Sequence, residues 1–156
     1  SATHRRAVRL TVRSIEAFLR PPDRLRISPG GGTMTIAATL VLVGRVILGL
    51  FFVIAGIRNV LHFAERRTPE TNYGWRLPAP VTALGFAAQL IGSLSVTFGI
   101  SPGWGAGLLV LFLIGATELF HNFLLFKGEA RLPHLYFTLV NIALGGYCLM
   151  VIGLSL

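Results

Sequence analysis

A chain of 156 residues that is 53% hydrophobic and 13% charged, with 18 glycines, has too little polar surface for a water-facing globule, where about 25% of residues carry charge. Its length suits one compact unit, and the membrane class comes first. The net charge of +8 is concentrated in a tail, because seven of the fourteen basic residues precede Ser28, and the single cysteine, Cys148, excludes an internal disulfide framework and any cysteine-ligated metal site.

Residues 1–33 form the first segment. At about 100° per residue, Arg5, Arg6, Arg9, Arg13 and Arg20 fall in one sector and Val8, Val12, Ile15, Phe18 and Leu19 in the other. That pattern predicts a basic amphipathic helix, stopped by Pro21 and Pro22, with a linker through Arg24, Arg26 and Gly30 to Gly32. No apolar core or small-residue cleavage site follows the basic cluster, so the segment does not read as a signal peptide. The expected partner is a bilayer surface with anionic headgroups; docking on a protein is the alternative, and nucleic acid is not expected.

Residues 34–156 carry four apolar segments: Ile36 to Phe63, Val81 to Ile100, Trp104 to Phe126 and Leu135 to Leu156. At ~1.5 Å per residue each crosses a hydrocarbon layer of ~30 Å, and the first is over-long and must tilt or project. The links are a polar loop from Ala64 to Pro80, a tight uncharged turn at Ser101 to Gly103, and a short charged stretch from Lys127 to His134. The predicted fold class is therefore all-α: a polytopic, antiparallel four-helix membrane bundle preceded by an interfacial helix. Gly85, Gly92 and Gly99 form a small-residue seam with Ala88 and Ser95 on the second span, and Gly49 and Gly56 share a stripe with Arg45 and Asn59 on the first. Such seams let backbones approach where apolar side chains gain little over lipid.

Charges inside hydrocarbon need partners or water. Arg58, His62, Glu118, His121 and His134 gather toward one end of the bundle and form a candidate polar mouth, while Arg45, Gln89 and Asn141 are expected to be intramembrane polar packing residues. Arg45 and Glu118 differ by about 10 Å in depth at helical rise, a stretched pairing; Arg58 is nearer in depth to Glu118. Glu118 and His121 have a Glu-x-x-His spacing that shares a helix face, but a di-iron bundle needs that motif twice, with further carboxylates. A haem b would use His62 with His121, or His121 with His134, and is disfavoured because each histidine sits near a helix end. No phosphate-binding glycine loop, nucleophile elbow or Cys-x-x-Cys is present, so no residue is assigned a catalytic or metal-binding role.

Gly44-Arg45, Gly49, Phe52, Gly56 and Arg58 on the first span, Ala88-Gln89-Leu90-Ile91-Gly92 with Gly99 on the second, Phe120-His121-Asn122-Phe123 on the third and Asn141 to Gly146 on the fourth together resemble the DoxX-like family. Gln89 stands where many relatives carry a glutamate. The resemblance implies a four-helix membrane protein, in some members the small subunit of a thiosulfate:quinone oxidoreductase and in others a component of membrane redox or stress-response complexes. The leading expectation is an accessory subunit that anchors or completes a larger membrane complex, with other subunits as partners and a quinone as the compatible cofactor. A catalytic quinone-reducing small subunit, with His121 and Glu118 as proton carriers, is the alternative. A small transporter ranks last, since no inverted repeat is visible. The expected location is the bacterial inner membrane with both termini cytoplasmic, because an arginine-rich surface helix suits the anionic inner leaflet.

Overall fold

Thr35 starts the first helix by capping it: its side-chain oxygen accepts from the Ala38 amide at 3.2 Å, satisfying one of the donors a helix leaves free at its N-terminus. The computed structural model describes residues 35–156; the amphipathic segment with Arg5, Arg6, Arg9, Arg13 and Arg20 lies outside the described residues. Helix α1 spans Ile36–Leu61 and breaks at His62 before a single turn, α2, at Phe63–Arg66. Helix α3, Ala79–Phe98, opens with proline in its first turn, where a missing N–H costs nothing. It closes on Gly99 at φ 73°, the left-handed cap that glycine adopts without strain. Helix α4 spans Pro102–Phe120, and α5 spans Arg131–Gly153.

Four helices are long and apolar enough to cross a membrane, and there is no strand among the described residues. Most boundaries fall within three residues of the sequence-based expectation, and two differ by more. Helix α4 ends at Phe120 rather than Phe126, because the Asn122 side chain accepts from the Leu124 amide at 3.1 Å and turns the chain into a 3₁₀ turn, Phe123–Leu125. Helix α5 begins at Arg131 rather than Leu135, since Pro133 falls in its first turn, where its lack of an N–H is harmless.

The helices pack in chain order, α1 on α3, α3 on α4 and α4 on α5. Leu48, Phe52, Val96, Ala106, Leu109, Leu113, Cys148 and Val151 form the buried core. Close approaches at glycine hold it together. A Cβ on Gly49 would meet the Thr97 backbone at 2.9 Å, one on Gly56 would lie 3.3 Å from Leu90, and Gly44 faces the Tyr147 hydroxyl of α5. Gly49 thus lies beside Thr97 and Arg45 beside Gly99, so the first turns of α1 run past the end of α3. That accounts for the surplus length of the first span. Leu40, Ile47, Ile54, Leu84, Leu111, Ile142 and Leu149 are exposed, the outward apolar surface that a bilayer requires.

Candidate functional site

Helices α3 and α4 touch at one level and part above it. At the contact, a Cβ on Gly92 would lie 2.7 Å from the carbonyl oxygen of Gly105, and one on Gly105 would lie 2.7 Å from that of Gly92. Toward the loop end, a Cβ on Gly85 or Gly115 would meet nothing within 4 Å. Between the diverging helices lies a cleft of about 990 Å³. Val81, Leu84 and Phe86 form one wall and Leu111, Phe112 and Leu119 the other; Asn59 of α1 reaches it from behind, and Arg66, Arg67 and Glu70 stand at its mouth. Gly85 is therefore part of a cleft wall, not of a packing seam.

The loop between α2 and α3 roofs the cleft, and hydrogen bonds fix it there. Thr71 is buried, and both its amide and its hydroxyl donate to the Trp75 carbonyl, at 2.8 and 2.9 Å. Gly74 at φ 78° makes the turn. The Asn72 amide donates to the Leu119 carbonyl at 2.7 Å. The Asn72 side chain, nitrogen toward α4, donates to the Phe120 carbonyl at 3.1 Å and accepts from the His121 and Asn122 amides at 3.2 and 2.9 Å. Asn72 thus caps the end of α4, where the His121 amide also keeps its helical bond to the Thr117 carbonyl at 2.9 Å.

His121 and His134 line the cleft at this same loop end, with ring centroids 6.0 Å apart. His134 stacks on Phe126 at 3.7 Å, and His121 on Phe137 at 4.7 Å. The Thr138 hydroxyl lies 2.6 Å from the His121 carbonyl and 2.9 Å from that of His134, tying α5 to the end of α4. Both Nδ1 atoms are buried without a protein partner, which leaves a hydrogen-bonding capacity of each ring unused among the described residues.

The DoxX family model matches residues 40–122, more than half of the chain. The chain belongs to the DoxX family. No curated protein and no solved structure matches it. The DoxX match takes in both walls of the cleft and the asparagine on its roof, and ends at Asn122, so His134 and all of α5 lie beyond it.

Of the five residues expected at the polar mouth of this DoxX protein, only His121 and His134 line the cleft. Arg58 is exposed and lines no cavity described here, and His62 turns its Nδ1 to the Arg58 carbonyl at 3.0 Å. Glu118 does not share a site with His121. Because α4 ends at Phe120, His121 leaves the helical path, while Glu118 faces a second groove of about 430 Å³ between α4 and α5. The expected ion pairs of Glu118 with Arg45 or Arg58 do not form; the only ion pair among the described residues is Arg76 with Glu70 at 3.8 Å. Glu118 is exposed in the last turn of α4 and accepts instead from Asn122 Nδ2 at 2.9 Å and the Tyr73 hydroxyl at 3.4 Å. Arg45 lies against Gly99, at the C-terminal end of α3, where the helix dipole presents partial negative charge.

The other polar groups pair between neighbouring helices. Asn59 Nδ2 donates to Gln89 Oε1 at 2.9 Å, and Asn141 Nδ2 to Thr117 Oγ1 at 2.9 Å. Sequence reasoning missed Asn72, Phe126 and Thr138. The Asn72-Tyr73-Gly74 turn signal was legible; the partners of the other two depend on where α4 stops. Among the described residues no group of three potential ligands could hold a metal ion. The cleft therefore offers an apolar trough with hydrogen-bonding and cationic groups at one end.

Proposed function

We propose that this DoxX protein is an integral-membrane accessory subunit that anchors or completes a larger, quinone-linked membrane complex. The observation that carries the reading is the groove between α4 and α5. Thr117 and Asn141 meet on its floor, Gly145 and Gly146 leave its side open, and the exposed carboxylate of Glu118 stands at its loop end. A Cβ on Gly146 would meet nothing within 4 Å, so another backbone has room to approach. An exposed carboxylate in a membrane helix favours a neighbour that supplies a cation or a donor. The occupant in this reading is a transmembrane helix of a partner subunit, with small residues along the groove and a basic residue opposite Glu118. The protein resides in the bacterial inner membrane with its termini in the cytoplasm, an orientation that a C-terminal reporter active only in the periplasm would overturn.

The deciding experiment is affinity purification from native membranes in mild detergent, followed by mass spectrometry. One or more membrane polypeptides should co-purify in fixed ratio, and Gly146→Leu and Glu118→Gln should release them. Recovery of the protein alone and monodisperse at native expression would end this reading. A second reading, a catalytic small subunit that reduces quinone, draws on the two unpartnered histidine nitrogens in the cleft. Unchanged quinone turnover in His121→Ala membranes would remove it.

A further inference from the structure

We propose that the cleft between α3 and α4 is a lateral slot for an anionic amphiphile of the surrounding leaflet, with an acyl chain between the parted helices and an oxyanion headgroup at Arg66 and Arg67. The inference concerns a different surface from the α4–α5 groove and does not rest on the docking role given to that groove.

Three observations carry it. The first is depth. From Val81 near the mouth to Gly92 at the apex is a run of about 16 Å at helical rise, close to half of a ~30 Å hydrocarbon core. The trough therefore extends from one interface to the midplane, the space occupied by the chains of a single leaflet. The second is access. Leu84 and Leu111 on the two walls are 71% and 67% exposed, and Gly85 and Gly115 add no side chain to the space between them. The trough is open sideways to lipid, so a chain enters without crossing the polar roof.

The third observation is charge. Arg66 and Arg67 line the mouth and have no acidic partner within salt-bridge distance among the described residues: Glu65 of the same turn makes no ion pair, and Glu70 lies 3.8 Å from Arg76. The exposed Tyr73 and Trp75 of the same loop are of the type that settles at headgroup level. Two guanidiniums at that level match a phosphate or carboxylate on an acyl chain. A neutral ring such as a quinone would find the histidines and the apolar walls, but would leave both arginine charges unanswered.

The full chain, purified in a neutral detergent and stripped of lipid, tests this by binding titrations read by native mass spectrometry and thermal shift. The probes are phosphatidylglycerol, palmitate, phosphatidylcholine and decylubiquinone. Phosphatidylglycerol or palmitate should bind at least about tenfold more tightly than phosphatidylcholine, given the attraction expected of two arginines at a headgroup; the tighter of the two identifies the headgroup as phosphate or carboxylate. Arg66→Gln/Arg67→Gln, changes at exposed positions, should abolish that preference. Gly115→Leu should abolish binding without lowering the melting temperature of the lipid-free protein, because the position faces open space and leucine is the better helix former. Equal binding of phosphatidylglycerol, palmitate and phosphatidylcholine would overturn the proposal, as would unaltered binding to Gly115→Leu. Decylubiquinone binding that outcompetes both anionic probes and survives loss of the two arginines would reassign the cleft to a neutral ring.

Discussion

Gly92 and Gly105 bring α3 and α4 so close that a Cβ on the first would stand 2.7 Å from the carbonyl oxygen of the second. This contact acts as the apex of a V. Val96, Ala106 and Leu109, all fully buried, pack around it; nearer the loop end the same two helices part around a cleft. One pair of glycines permits contact, and another pair, Gly85 and Gly115, leaves space.

The two kinds of glycine should respond oppositely to the same change. Gly92→Ala forces backbone apart and is expected to cost about 1–3 kcal/mol, as overpacking does. Gly85→Ala meets no protein atom and should instead raise stability by up to about 1 kcal/mol through helix propensity. Thermal unfolding of both variants in the same detergent measures the difference, and similar destabilisation by both would contradict this geometry.

Asn72 holds the roof of the cleft to the end of α4 through backbone and side chain together. Asn72→Ala retains the backbone bond to Leu119 and leaves the amides of His121 and Asn122 with one acceptor fewer. A loss of about 1–3 kcal/mol is expected because the Asn122 amide and the Phe120 carbonyl lose this partner, while the His121 amide keeps the Thr117 carbonyl. Trypsin should then cut faster at Arg76, in the loop itself, while cutting at Arg131 changes little.

The Asn59–Gln89 bond joins α1 to α3, and Gln89 is 2% exposed. A double-mutant cycle with Asn59→Leu and Gln89→Leu should give a coupling energy of about 0.6 kcal/mol, and no more than about 1.7 kcal/mol, the average and the maximum for hydrogen bonds between membrane helices. Strict additivity of the two single changes would show that the bond contributes nothing.

Arg45 is placed to interact with the carboxyl-terminal end of α3 at Gly99. Arg45→Glu should therefore destabilise the bundle by roughly 1 kcal/mol more than Arg45→Gln, because it sets a negative charge against the negative end of a helix dipole. Equal melting temperatures for the two variants would remove the dipole from the account of this residue.

Helices read well from the sequence because their signals are local. Proline in the first turn of α3 and α4 and glycine just past α3 act within a turn of where they sit. The charged mouth read less well. Arg58, His62 and Glu118 share an end of the bundle with His121 and His134, yet depth along a helix says nothing of azimuth. Once α4 stops at Phe120, Glu118 and His121 face different cavities although three residues separate them. The groups that stop α4 include Asn72, far away in sequence and adjacent in space.

Composition and hydropathy alone determined the membrane class, four spans and the antiparallel order, because transfer of apolar surface and the demand for internally satisfied backbone depend on residue type and run length. Tertiary structure alone decided which glycines touch and which leave room, which polar groups find one another, and where the cleft opens. Those outcomes depend on how two helices cross, a relation between distant segments that no local pattern encodes.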